Sequence, residues 1–192
     1  MDGHGSQTST GNDKSRKRDD GRLVERAQNG DEKAVGELYR RHVDTIYRYI
    51  YARTQDEVVA EDLTAQVFLK ALEGLPTYQY MGKPFLSWLY RIAYARVVDH
   101  YREQRRRQEV ALFETVPADD PPPSQRVEAE AESDAAIDLL AQLTDDQQDV
   151  LILRFIGELS LAEVAETLGK TVGAIKALQH RALASLARLQ QE

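Results

Sequence analysis

Four prolines, Pro117 and Pro121 to Pro123, fall inside a stretch from Gln108 to Asp149 that carries twelve carboxylates and a single base, Arg126. Proline removes a backbone donor and clashes with the preceding helical turn, and dense like charge opposes collapse, so no regular element is expected to cross the proline-rich part. The chain is thereby cut in two, and each side must build its own core. With 192 residues there is room for two small domains. The acids also make the overall charge of −7 misleading, because the rest of the chain is net positive. Arg91 to Arg107 alone holds six arginines against Asp99 and Glu103.

Both blocks carry helical rather than strand periodicity. In the first, Val43, Ile46, Tyr47 and Ile50 recur at three- and four-residue steps after Leu38, which predicts a helix from about 31 to 53. Leu63, Val67, Leu69 and Leu72 mark a second from about 58 to 75, ended by Gly74 and Pro76. A third starts at Pro84 and runs through Phe85, Leu89, Ile92 and Val97 to about 107. After the prolines the pattern resumes near Ser133, with Leu140, Leu143, Val150, Leu153 and Ile156, and short helices follow over 161–168 and 172–189. The expected fold class is all-α, with two small helical domains over 23–107 and 133–192. A flexible acidic linker over 108–132 joins them, and a disordered polar tail covers 1–22.

The second domain carries a helix-turn-helix signature. Ser160 and Glu163 make a capping box, Gly169 supplies the left-handed turn, and Thr171 or Val172 opens the next helix. Such a second helix enters the major groove with its N-terminal part. Gly173, Ala174 and Ala177 permit close approach, Lys176 and His180 lie toward the open side, Gln179 suits adenine, and Arg181 suits guanine or phosphate. In the first domain Trp88, Tyr90, Tyr94 and Tyr101 interleave with Arg91, Arg96, His100, Arg102 and Arg105. Aromatic faces stack on unpaired bases while arginines track phosphates, the chemistry that single-stranded nucleic acid requires.

Other classes fit poorly. With no cysteine there is no disulfide or thiolate chemistry, and a reducing, cytoplasmic setting is expected. His4, His42, His100 and His180 are scattered, so no metal and no cofactor is expected. Leu168-Gly169-Lys170-Thr171 lacks the earlier glycine of a phosphate loop, since Val164 stands there. No Glu-x-x-His pair or activated nucleophile points to an enzyme. The longest aliphatic run, Val150 to Leu153, is far below the ~20 residues of a spanning helix, so no membrane insertion is expected.

The block Glu61-Asp62-Leu63-Thr64-Ala65-Gln66-Val67-Phe68-Leu69-Lys70-Ala71, then Phe85-Leu86-Ser87-Trp88-Leu89-Tyr90-Arg91-Ile92-Ala93 and Val98-Asp99-His100, resembles region 2 of a bacterial sigma factor of the sigma-70 family. Leu143-Thr144 through Gln147, Leu153-Arg154-Phe155, Ser160 to Leu168 and Gly173 to Leu183 resemble region 4. With no recognisable region 1.1 or 3, the likeness is to the extracytoplasmic-function (ECF) group. The resemblance implies a non-catalytic specificity subunit that binds core RNA polymerase through the β′ clamp helices and the β flap. Asp62, Leu63, Gln66, Val67 and Lys70 would carry the clamp contact, with Leu63 and Val67 also packing inward. It further implies reading of the −10 strand by Tyr80, Trp88, Arg91, Tyr94, Arg96, His100, Arg102 and Arg105. The −35 duplex would fall to Thr171, Gly173, Ala174, Lys176, Ala177, Gln179, His180 and Arg181, and an anti-sigma factor is an implied partner. Members commonly carry Asn two residues after the Arg-Ile-Ala triplet, whereas Ala95 stands here, which makes Tyr94 and Arg96 the candidates to replace it. The alternative is an autonomous helix-turn-helix regulator that binds duplex DNA without polymerase. The acidic linker is also a candidate shield for the basic patch.

Overall fold

The computed structural model describes residues 9–79, 84–113 and 138–189, and within them every regular element is helical. Helix α1 spans Ser9–Gln28, α2 Glu32–Thr54 and α3 Glu57–Gly74; a 3-10 turn covers Leu75–Thr77, and α4 spans Phe85–Phe113. After a helical turn at 138–141, α5 covers Asp145–Leu151 and continues as a π turn over Ile152–Ile156. Helices α6, Leu161–Leu168, and α7, Val172–Leu189, complete the second half.

Local signals explain the boundaries. Asp31 caps α2, accepting from the backbone N–H of Lys33 at 3.0 Å and Ala34 at 3.3 Å, and Asp56 caps α3 through Val59 N–H at 2.9 Å. Each such cap contributes about 1 kcal/mol. Gln55 ends α2 in the left-handed region at φ 53°, so α2 and α3 turn back on each other. The inner stripes then interlock: Ile46, Tyr49 and Ile50 of α2, Ala60, Leu63 and Val67 of α3, and Leu89, Tyr90, Ala93 and Val97 of α4 are all buried. Tyr49 and Tyr90 meet edge to face at 5.4 Å.

Two expectations need correction. The tail expected to be disordered over 1–22 is helical from Ser9, while residues 1–8 lie outside the described part. Leu23 and Val24 bury against the core, and the nearby Asp20 carboxylate reaches buried His42 at 3.0 Å, so the polar segment inherits an anchor. Arg41 adds contacts to Asp19 at 2.6 Å and Asp20 at 3.3 Å. Likewise α4 continues to Phe113, past the expected linker boundary at 108; the prolines lie outside the described residues.

In the second half Ser160 and Glu163 form the expected capping box, at 3.3 and 2.8 Å, and Gly169 adopts φ 64° at the end of α6. Val164, Leu168, Ile175 and Leu178 pack in one cluster across α6 and α7, while Ala182 packs with Leu143 and Leu151. The two halves do not stand apart. Val150, Ile152, Leu153 and Leu159 join the same apolar cluster as the α2, α3 and α4 cores. The π turn places Gly157 against Tyr90: a Cβ there would lie 3.0 Å from the Tyr90 hydroxyl and 2.6 Å from the Leu153 carbonyl oxygen. Only glycine permits that approach.

Candidate functional site

Helix α3 divides cleanly into two faces. Leu63 and Val67 point into the core, so they support the helix and present no surface for a partner, which narrows the expected contact set. Asp62, Gln66 and Lys70 lie on the open face; Gln66 Nε2 donates to Asp62 at 2.8 Å, and Lys70 pairs with Glu73 at 2.9 Å. Leu69 and Leu72, apolar positions of the same helix, are 61% and 47% exposed. Helical geometry decides this: the inner stripe follows Leu63, Val67 and Ala71 at four-residue steps, and Leu69 is off that line. Tyr39 of α2 stands beside Phe68 at 4.8 Å and is also exposed, so an apolar rim borders the polar α3 face. An exposed leucine pair next to an Asp-Gln-Lys row is the signal that would have found it.

Helix α4 holds most of the residues expected to read single-stranded DNA. Trp88 is half-buried, packed at 4.5 Å on Tyr78 and 5.4 Å on Phe85, and a Cβ on Gly74 would meet its ring at 3.1 Å. Arg91 is exposed and 3.7 Å from Glu166 of α6, while Ser87 Oγ donates to Glu163 at 3.5 Å. Further along, Arg96 and Arg102 approach Asp99 at 3.8 and 3.7 Å, and Arg105 approaches Asp145 of α5 at 3.6 Å. His100 lies against Tyr101 at 5.6 Å. Ala95 is exposed beside half-buried Tyr94, whose hydroxyl burial pushes its pKa up. Tyr80 lies outside the described residues.

The start of α4, at Ser87 and Arg91, therefore meets α6, while Arg102 and Arg105 further along stay exposed. A cleft of about 80 Å³ remains between them, bordered by Tyr78, Trp88, Arg91, Glu163, Glu166 and Thr167. By contrast the N-terminal part of α7 is open: Thr171, Gly173, Ala174, Lys176, Ala177, His180 and Arg181 are exposed, with Gln179 half-buried and accepting from Arg154 Nε at 3.3 Å. Thr171 Oγ1 caps α7 through Ala174 N–H at 3.2 Å, leaving the small residues at the helix tip uncovered.

The contact that neither motif foretold lies between α2 and α5. Arg53 Nε is 2.8 Å from Asp149 Oδ1, an ion pair without the alignment of a hydrogen bond, and both side chains are buried. Arg53 also donates to Gln148 Oε1, reaches Asp145 at 3.5 Å and lies 5.6 Å over the Tyr101 ring. Burial raises the Asp149 pKa to about 6, with the Arg53 charge opposing that rise and Asp145 and Asp146 adding to it. Burial also drives Tyr49 well upward, as does the nearby Asp149 charge. No group of acids and histidines able to hold a metal occurs among the described residues. No described helix is long and apolar enough to cross a membrane.

With this geometry in place, comparison with known proteins adds the following. The Sigma-70 region 2 profile matches residues 38–107, and the Sigma-70 region 4 profile matches 139–188. The chain is 44% identical over 169 residues to the ECF RNA polymerase sigma factor BldN of Streptomyces coelicolor, covering 87% of this chain and 64% of BldN. It thus spans somewhat less than two thirds of BldN's length. It is 34% identical over 172 residues to the ECF RNA polymerase sigma factor SigD of Mycobacterium tuberculosis H37Rv, covering 85% of this chain and 80% of SigD. Among solved structures, CnrH in complex with the cytosolic domain of CnrY aligns with a TM-score of 0.68 at 24% identity, over 88% of this chain and 95% of that one. RpoE of Bartonella quintana in complex with the anti-sigma factor NepR aligns at 0.64 and 22% identity, over 81% and 96%. At those identities the structural likenesses establish the fold.

Proposed function

The chain belongs to the ECF RNA polymerase sigma factors, and from that premise we propose that it binds core polymerase, directs it to promoters and assists melting of the −10 element. The observation that carries this reading is the presence, in order in one chain, of two different nucleic-acid surfaces. One is an aromatic and basic helix, α4, suited to unpaired bases; the other is the open tip of α7, suited to a duplex groove. A duplex-only regulator needs the second and has no use for the first.

Within that reading Asp62, Gln66 and Lys70 take the polar part of the clamp contact, with Leu69, Leu72 and Tyr39 as its apolar border. Arg91, Arg96, Arg102 and Arg105 follow the −10 backbone, with Trp88, Tyr94 and His100 toward the bases; Tyr80 belongs to the same proposal. Thr171, Gly173, Ala174, Lys176, Ala177, Gln179, His180 and Arg181 read the −35 duplex. Melting is driven by capture: a base leaves the stack at a cost of a few kcal/mol and is then held, so no bond is broken by this protein. The protein acts as a non-catalytic subunit in the cytoplasm, where the polymerase is. An anti-sigma factor is a further expected partner, as RpoE is found in complex with the anti-sigma factor NepR.

Transcription by bacterial core polymerase on fragmented host DNA, with 5′ ends mapped, tests the reading. Transcripts that appear only with the chain and share upstream elements near −10 and −35 support it. None, from core that responds to another sigma factor, overturns it.

A further inference from the structure

Helix α1 lies ahead of the residues that the region 2 profile matches, yet it reaches the aromatic part of the strand-reading surface by two routes. The first is polar. Gln28, the last residue of α1, donates from Nε2 across the fold to the Leu75 carbonyl oxygen at 2.9 Å and to the Tyr78 carbonyl oxygen at 2.7 Å. A primary amide has two hydrogens, one for each. The pair of acceptors also fixes which way the amide points, because a flipped amide would set its own oxygen against two others. The second route runs through rings. Asp20 of α1 holds His42 at 3.0 Å, His42 lies 5.8 Å from Phe85, and Phe85 packs on Tyr78 at 5.6 Å and on Trp88 at 5.4 Å.

We propose that Gln28 is a positioning residue for −10 recognition: by holding the Leu75 and Tyr78 carbonyls it fixes the Tyr78 ring against Trp88, and so orients the aromatic platform that unpaired bases meet. This rests on the sigma-factor reading for what the platform binds, but the hold on Tyr78 and Trp88 does not.

The backbone at this point gives the amide its leverage. Leu75–Thr77 is a single 3-10 turn, closed by Tyr78 N–H on the Leu75 oxygen at 3.1 Å. At Tyr78 the chain becomes extended, with φ −65° and ψ 129°, and leaves the helical ladder. Gln28 bonds on both sides of that exit, at the first carbonyl of the turn and at the first one beyond it. Leu75 is anchored by burial; Tyr78, half-buried at the surface, gains its direction from the amide. The Tyr78 and Trp88 rings are 4.5 Å apart and tilted by 38°, so a change in direction at Tyr78 passes to Trp88. Gly74 also closes on Trp88, whose ring a Cβ would meet at 3.1 Å. Stacking on a base requires such a ring to be held at a fixed tilt with a face open. Gln28 itself is exposed, so replacing it empties no core position.

Trp88 is the single tryptophan of the chain, so its emission reports the platform in the full-length protein without a label. Gln28→Met keeps the length of the side chain and removes both donors, and Gln28→Glu keeps the shape but faces two carbonyl oxygens with a carboxylate. Both variants should shift Trp88 emission and raise its quenching by acrylamide. In holoenzyme, the affinity for a labelled single strand carrying a mapped −10 element, divided by that for a strand with the element scrambled, should fall about five- to tenfold in both, the scale of one net hydrogen bond. Gln28→Lys, which returns donors to the two oxygens, should recover the ratio, and the scrambled strand corrects for its added charge. Affinity for core polymerase and the melting temperature should stay near wild type in all three. Unchanged Trp88 emission and an unchanged ratio in Gln28→Met and Gln28→Glu overturn the proposal. So does a Trp88 response with a constant ratio, or a loss that follows a fall in melting temperature and that Gln28→Lys does not recover. Failure of the wild-type chain to support transcription with core polymerase would count against the sigma-factor reading and leave the Trp88 result standing.

Discussion

Arg53 and Asp149, 96 positions apart in the chain, meet 2.8 Å apart with 4% and 5% of their side chains exposed, and they tie the N-terminal half to the C-terminal half. A charge pair so deeply buried depends on both partners. Removing one leaves the other in a low-dielectric site, typically at a cost of about 3–5 kcal/mol. In Arg53→Leu, thermal unfolding followed by circular dichroism should therefore lose cooperativity between the halves and split into two transitions. Arg53→Leu with Asp149→Leu should return to one. A single transition at the wild-type midpoint for Arg53→Leu would show that the pair contributes nothing to coupling.

The contact between the halves should depend on pH through Asp149. Burial places its pKa at about 6 in the docked state against an ordinary value of 3.8, so the docked form holds the proton more tightly than an opened one. The contribution to docking is fully present below the ordinary value and is lost as pH rises through about 6. The groups that face it are Arg53 and Tyr49 on α2, Tyr94 and Tyr101 on α4, Asp145 and Asp146 on α5, and Lys170. Energy transfer between dyes placed by Glu32→Cys and Arg188→Cys, in a chain otherwise without cysteine, should be higher near pH 5 than near pH 7.5. It should be flat over that range in Asp149→Asn.

Polymerase binding separates support from contact on α3. Asp62→Lys or Lys70→Glu should weaken binding to core polymerase about tenfold or more, with the melting temperature near that of the wild type. Leu63→Ala should instead lower stability by about 2–5 kcal/mol, because it empties a core position. Affinity by biolayer interferometry and stability by urea titration distinguish the two classes.

At the other surface, Lys176 stands exposed on the α7 tip. If it contacts a phosphate, Lys176→Ala should weaken holoenzyme binding to all promoter sequences alike and reduce the slope of log K against log salt by about 0.9. A sequence-dependent loss with an unchanged slope would assign Lys176 to a base edge.

Much of this organisation was legible in the sequence, for reasons that show where reading stops. The inner stripes of α2 and α4, the Ser160–Glu163 box and the Gly169 turn follow from spacing and local backbone chemistry, which act within a few residues. Apolar identity alone does not separate Leu69 and Leu72, on an exposed rim, from the core stripe; the four-residue step through Leu63, Val67 and Ala71 does. The α1 segment before Leu23 looked too polar to fold, since its anchors, His42 and Arg41, lie on another helix. For the same reason the contact between the halves is invisible in the sequence: an arginine at 53 and an aspartate at 149 carry no local mark of each other. The expected linker shield lies outside the described residues, and the acids on α4 belong to α5 and α6.

Promoter melting is the most direct test of the central claim. Permanganate reactivity of thymines should appear around the −10 element of a mapped promoter when core polymerase and this chain are both present. Neither alone should produce it. Permanganate-silent DNA, bound by the chain alone with a duplex footprint that polymerase does not alter, would contradict the account and favour an autonomous regulator.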